Sequence, residues 1–216
     1  MKYVWLFGIA ALIGLALGYS GIQFLPQPYR FQGSAIEPPV PAADFTLQTH
    51  DGQPFTLSAQ RGKVVLLFFG YTSCPDVCPA TWGAFKKIAA QLGERAAEAQ
   101  FVMITADPER DTPDQMANYI TAFNPNFLGL TGSQEALQPV YEAYGAFVEK
   151  EETDGATGYL IAHTSRVYVI DQEGRLRLTF PFGMAAEAMA ADVYHLLEMK
   201  GSDSPRKESP MTTAGE

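Results

Sequence analysis

Val64-Val65-Leu66-Leu67-Phe68-Phe69-Gly70-Tyr71-Thr72-Ser73-Cys74-Pro75-Asp76-Val77-Cys78-Pro79 is the stretch on which the fold turns. The continuous apolar run from Val64 to Phe69 predicts a central strand buried on both faces of a sheet. Ala80 to Leu92 then carry helical periodicity and stop at Gly93, with Pro79 read as the first full helical residue. Both cysteines of the chain fall in the loop that joins this strand to this helix.

Working outward, Phe45–Thr49 and Pro54–Leu57 flank Asp51-Gly52, a hairpin signal. Phe101–Thr105 is a second buried strand. Thr112-Pro113-Asp114-Gln115 starts a helix, with Thr as cap and Pro at the first helical position, running to about Phe123. Ser133 opens another, interrupted or kinked at Pro139 and ending near Gly145. Strands over Arg166–Ile170 and Arg175–Phe180 meet at an Asp171–Gly174 turn, and the last helix covers about Ala185–Lys200. Strands alternating with helices and closed by a strand pair predict an α/β fold, a three-layer sandwich on a central mixed sheet. The thioredoxin-like arrangement is the natural candidate, because its active site lies where the first central strand gives way to a helix.

Composition narrows the class. With 15 basic against 24 acidic residues in 216, net charge −9, and no Lys/Arg cluster, nucleic acid is not an expected partner. Two cysteines exclude a disulfide-dense scaffold and a four-cysteine zinc site within one chain. Tyr3 to Leu25 carry no charge, enough to cross a hydrocarbon layer of about 30 Å as a transmembrane helix preceded by Lys2. Residues 1–25 are therefore expected to anchor the chain. A cleaved signal peptide ending at Ala16-Leu17-Gly18 is the alternative, although the run exceeds the roughly 7–15 apolar residues usual there. No Cys follows the run, which argues against a lipoprotein anchor. No Arg-rich presequence leads in, so the expected location is a bacterial inner membrane, with the soluble domain in the periplasm. Five prolines make residues 26–43 a stiff, extended linker rather than a helix or strand; residues 44–200 form the domain; and the Ser/Pro/charge-rich residues 201–216 are a disordered tail.

Cys74 and Cys78 are spaced Cys-x-x-x-Cys. On a helix, positions i and i+4 lie about 6 Å apart on one face, which suits either a disulfide or the gripping of one metal ion. A helix N-terminus favours the thiolate form. A disulfide without chemistry explains the pair less well, because it does not account for its place at a strand-to-helix loop. The chain has three histidines. His50, beside the Asp51-Gly52 turn, reads as a solvated loop residue. His195, among Val193, Leu196 and Leu197, reads as a partly exposed helix position. His163, in Leu160-Ile161-Ala162-His163-Thr164-Ser165, stands at the mouth of the late strand pair, opposite the cysteine loop in a thioredoxin-like sheet. Two thiolates and one imidazole form a soft three-coordinate set suited to Cu(I), or to Cu(II) with a fourth ligand; zinc is the second candidate. Met103 and Met184 read as packing.

The chain resembles the SCO/SenC proteins, which deliver copper during assembly of cytochrome c oxidase. The resemblance rests on Phe69 to Pro79, on Asp107-Pro108-Glu109-Arg110-Asp111-Thr112-Pro113, and on His163-Thr164-Ser165, and covers roughly residues 40–200. It implies a thioredoxin-like fold in which Cys74, Cys78 and His163 bind Cu(I) or Cu(II). The implied recipient is the dinuclear copper centre of cytochrome c oxidase subunit II, with a copper donor protein as a second partner. In that role the chain is a metallochaperone rather than an enzyme. The alternative is a dedicated thiol–disulfide oxidoreductase that uses Cys74 and Cys78 as a redox pair to keep the oxidase copper-site cysteines reduced. Many relatives carry Asp immediately before the His, where this chain has Ala162.

In the Asp107–Pro113 stretch, Thr112 and Pro113 are explained by capping and Asp107-Pro108 by a turn. Arg110 is expected in a surface ion pair with Glu109 or Asp111. Asp107 is a candidate to support the site from behind its ligands. Other thioredoxin-like activities fit less well. General reductases place a proline before a late strand facing the cysteines, where this chain has Ala162-His163-Thr164, and peroxide reduction wants a Thr and Arg around an uncrowded cysteine.

Overall fold

The computed structural model describes residues 29–153 and 158–199. The transmembrane helix expected over 1–25 and the tail expected over 201–216 lie outside them. Among the described residues, no helix is long and apolar enough to cross a membrane.

Ten strands are present among the described residues: β1 (Ser34–Pro41), β2 (Thr46–Thr49), β3 (Pro54–Thr56), β4 (Val64–Gly70), β5 (Ala99–Thr105), β6 (Leu128–Thr131), β7 (Val148–Glu152), β8 (Tyr159–His163), β9 (Val167–Ile170) and β10 (Arg175–Phe180). The α-helices are α1 (Val77–Leu92), α2 (Pro113–Thr121), α3 (Gln134–Ala143) and α4 (Ala186–Glu198). Eight strands form one sheet in the order β1-β10-β9-β4-β5-β6-β2-β3, while β7 and β8 form a separate hairpin. The pairs β4–β5 and β5–β6 are parallel and β4–β9 is antiparallel, so the sheet is mixed.

Every residue of β4 is buried. Its side chains alternate between faces. Leu66 and Phe68 pack with Trp82, Phe85 and Ile88 of α1 and with Val193 and Leu197 of α4. Leu67 and Phe69 pack on the other face with Leu137, Val140 and Tyr141 of α3 and with Phe45 and Phe55 of the β2–β3 hairpin. Each such large apolar side chain contributes roughly 1.5–3 kcal/mol when fully buried. The outcome is the expected three-layer α/β sandwich.

Several local expectations are corrected. Ser34 to Pro41, expected as spacer, is an edge strand pairing antiparallel with β10. Its pairing is irregular between Ala35 and Val40, the interval that holds Pro38 and Pro39. An edge strand tolerates proline because the missing N–H costs no ladder bond on the outer side. The compact unit accordingly begins at Phe31. Helix α1 starts at Val77, before Pro79, which sits in the first turn where its lack of an N–H is harmless. Helix α3 runs through Pro139 without interruption. Strand β6 intervenes between α2 and α3, where no strand is expected. It is short and contains Gly129, at which a Cβ would lie 2.3 Å from Ile120 and 2.6 Å from Met116 of α2. The hairpin β7–β8 is also unexpected, because β7 is largely exposed and mostly charged, with no apolar alternation to signal it.

Candidate metal centre

Parallel strands β4 and β5 end side by side, Gly70 opposite Thr105. The loops at this carboxyl edge are where open α/β sheets place their sites. The loop after β4 carries Cys74, and Cys78 is the second residue of α1. Cys74 is outside the helix, so the sulfurs do not meet by helical i,i+4 spacing. A turn brings them together, with the Cys74 N–H donating to Tyr71 O at 3.3 Å.

Asp111 straps this loop down. Its carboxylate accepts from the Thr72 hydroxyl at 2.6 Å, the Thr72 N–H at 3.1 Å and the Thr105 hydroxyl at 2.7 Å. Gly70 leaves room for one sulfur: a Cβ there would lie 2.8 Å from Cys78 Sγ and 2.8 Å from the Phe68 ring. Cys78 is buried and Cys74 half-buried, and both are free thiols.

His163, the last residue of β8, brings Nε2 to 3.6 Å from Cys78 Sγ. Its Nδ1 lies 3.2 Å from the Thr164 carbonyl oxygen. A carbonyl only accepts, so an Nδ1 proton can donate to it, and in that tautomer the Nε2 lone pair is free for a metal ion held by the sulfurs. One ligand atom from each of Cys74, Cys78 and His163 lies within 4.8 Å of the others. Among the described residues, this is the one such group of His, Cys, Asp or Glu able to hold a metal ion.

The thiols are unequal. The Cys78 hydrogen bond, then those of His163 and the Asp76 and Cys78 N–H groups, hold the Cys74 thiol down to about 3, against desolvation. Cys78 is pushed up by its bond to Cys74, by burial and by the Cys74 charge. One negative charge is thus shared between two sulfurs; a metal ion that displaces the remaining proton gains a second thiolate. Two sulfurs and one imidazole nitrogen form a soft set that fits copper.

Asp107, 3% exposed, reaches the His-bearing hairpin rather than the sulfurs. It accepts from the Tyr159 hydroxyl at 2.9 Å and pairs with Arg110. Arg110 is therefore in an ion pair with a buried carboxylate, not in the surface pair expected. Tyr71 accepts from the Ile161 N–H at 3.3 Å, and its ring meets the His163 ring edge-on at 5.6 Å.

His50 and His195 stay away from the cluster. His50 is half-buried rather than solvated, and its Nδ1 accepts from the Gly129 N–H at 3.1 Å. The His195 ring packs edge-on to Phe31 at 5.6 Å. Met103 is fully buried in the core. Sequence reasoning misses Gly70, Tyr71, Asp111 and Tyr159 as site builders. A carboxylate next to a Thr-Pro helix start is the one local hint at Asp111; Tyr71 and Tyr159 reveal themselves through contacts distant in sequence.

A family model described as SCO1/SenC matches residues 34–198. A protein of Stutzerimonas stutzeri is 39% identical over 133 residues, 61% of this chain and 64% of that protein, so the match spans just under two thirds of the relative. The structure is similar to that of Bradyrhizobium japonicum ScoI with copper bound, at 34% identity and a TM-score of 0.68, covering 73% of this chain and 100% of that one. It is also similar to apo Sco1 from Thermus thermophilus, at 39% identity and a TM-score of 0.70, covering 80% and 100%.

Proposed function

The chain belongs to the SCO1/SenC family, and from that premise we propose that Cys74, Cys78 and His163 bind one copper ion, Cu(I) or Cu(II), for delivery during cytochrome c oxidase assembly. The observation that carries this reading is the convergence of the three ligand atoms within 4.8 Å. The copper-bound relative at 34% identity supports the choice of metal. Cys78 supplies a buried anchor, Cys74 a half-exposed sulfur at the rim, and His163 the nitrogen. The exposed sulfur is the one from which an acceptor's ligand can take over the ion. The recipient is the dinuclear copper centre of subunit II. The uncharged segment Tyr3–Leu25 anchors the chain in a bacterial inner membrane and holds the domain in the periplasm.

Anaerobic copper titration tests the reading. Wild type takes up one copper per chain; Cys74→Ala, Cys78→Ala and His163→Ala each lose tight uptake. Stoichiometric tight binding that survives His163→Ala removes His163 from the site.

A second reading is favoured by the unequal thiols, a low-pKa Cys74 beside a protonated Cys78. In it the Cys74 thiolate attacks a partner disulfide and releases one partner thiolate. Cys78, losing its proton, then attacks the mixed disulfide and releases the second. The partner is reduced and Cys74–Cys78 is oxidised. This activity survives His163→Ala, whereas copper delivery does not.

A further inference from the structure

The ligand His163 reaches the sulfurs on a hairpin that belongs to no other sheet. Ile161 and the partly buried Val148 and Tyr159 pack it on the core. A crevice of about 240 Å³, lined by Ala106, Asp107, Glu109, Val148, Lys150 and Ile161, opens between it and the loop after β5. Polar fastenings add to this packing.

Those fastenings converge on Arg110. Its guanidinium carbon lies 3.7 Å from the centroid of the Tyr159 ring and 5.6 Å from that of Tyr71. Its Nη1 donates to the Tyr159 carbonyl oxygen at 3.0 Å, and its Nε pairs with Asp107. Asp107 in turn accepts from the Tyr159 hydroxyl. Both ends of Tyr159, carbonyl and hydroxyl, are thus held by one Arg–Asp pair rooted in the loop after β5. Tyr71, the other aromatic neighbour of Arg110, grips the same strand at Ile161 N–H and stands against His163. Only a planar fork can stack on a ring, donate to a carbonyl and pair with a carboxylate at once.

We propose that Arg110, fixed by Asp107, is the positioning residue of the copper site: it clamps β8 through Tyr159 so that His163 is presented to the two sulfurs. This inference rests on the copper reading above and adds what sets the third ligand. Arg110 touches none of the reacting atoms and acts through the hairpin.

The test uses the full chain in detergent and has two readouts. In metal-free protein, amide hydrogen exchange is followed strand by strand. In the presence of Cu(I) alone, affinity is measured against a chromophoric chelator. Arg110→Ala is expected to speed exchange of residues 148–152 and 159–163 at least about tenfold while β4 and β5 stay protected. It is expected to weaken Cu(I) about 10- to 100-fold, the usual effect of losing a group that orients a metal ligand. Arg110→Lys, which keeps the charge but not the fork, falls between. The double variant Arg110→Ala/His163→Ala binds no more weakly than His163→Ala, because both changes remove the same ligand. Additive losses, or an unchanged hairpin, overturn the proposal. If Arg110→Ala loosens the whole sheet, Tyr159→Phe removes only the hydroxyl on Asp107, and no hairpin-limited rise in exchange there also overturns it. Unchanged Cu(I) affinity in His163→Ala refutes the ligand assignment instead, and the metal-free exchange still decides the clamp.

Discussion

Asp111 and Thr72, 39 residues apart in sequence, meet side chain to side chain at 2.6 Å. The contact joins the loops that follow two adjacent parallel strands, and it holds the cysteine loop to the sheet edge. Because Asp111 is 1% exposed, water cannot replace the bond.

Asp111→Ala leaves the Thr72 N–H and the Thr105 hydroxyl without their acceptor. An unsatisfied buried polar group costs about 1–3 kcal/mol, so a loss of roughly 2–5 kcal/mol is expected in denaturant unfolding. The pH dependence has a definite sign. Burial raises the Asp111 carboxyl above its ordinary 3.8, outweighing the hydrogen bonds of Thr72 and Thr105. The folded state then binds the proton more tightly than the unfolded state, and stability falls as pH rises from the unfolded to the folded value. The stability of wild type minus that of Asp111→Asn should therefore decline with rising pH above 3.8 and then level off. A difference that grows with pH would show that the hydrogen bonds, not burial, dominate.

Cys74, held down to about 3, is a thiolate throughout the neutral range, whereas Cys78 keeps its proton. In metal-free reduced protein, iodoacetamide is expected to modify Cys74 at a rate nearly independent of pH between about 5 and 8. An unperturbed thiol, with pKa about 8.5, would react faster by a large factor over that span. Mass spectrometry should find Cys78 unmodified. A log-linear rise in rate with pH would show that Cys74 carries its proton when the metal is absent.

The central architecture is legible because β4 is buried on both faces and its hydrophobicity is continuous. The α2 cap is legible because Thr112 accepts from the Gln115 N–H at 3.2 Å, a bond local in sequence. Cys74, Cys78 and His163 can be nominated by chemistry alone, being soft or borderline ligands in suggestive places. What sequence cannot supply is the support for them. Tyr71 to Ile161 and Arg110 to Tyr159 are contacts between segments that no local pattern relates. Strand β1 escapes for another reason: proline ordinarily argues against a strand, and only its place at the sheet edge lifts the objection.

Gly70→Ala should damage the centre without altering a ligand. The new Cβ would stand 2.8 Å from both Cys78 Sγ and the Phe68 ring, and 3.3 Å from Met103 Sδ. Cys78 is fixed at the start of a helix and Phe68 is 2% exposed, so neither yields freely. Overpacking of this kind costs about 1–3 kcal/mol. The expected outcome is a lower thermal midpoint together with weaker Cu(I) binding, because the sulfur that shifts is a ligand. Lost stability with copper affinity unchanged would mean that Phe68 and Met103 absorb the strain.

Ala162 pairs directly with Glu149 across the β7–β8 hairpin. Side chains opposed in an antiparallel pair share a face, and like charges there repel. Ala162→Asp is therefore expected to loosen this hairpin by some tenths of a kcal/mol. Faster exchange of the β8 amides and a modest weakening of copper binding should follow, because His163 is the next residue along the strand. Adding Glu149→Lys turns the repulsion into attraction and should restore both. The opposite result is equally informative. Tighter copper binding in Ala162→Asp with Glu149 intact would show that the new carboxylate favours the bound ion by more than the cross-strand repulsion costs.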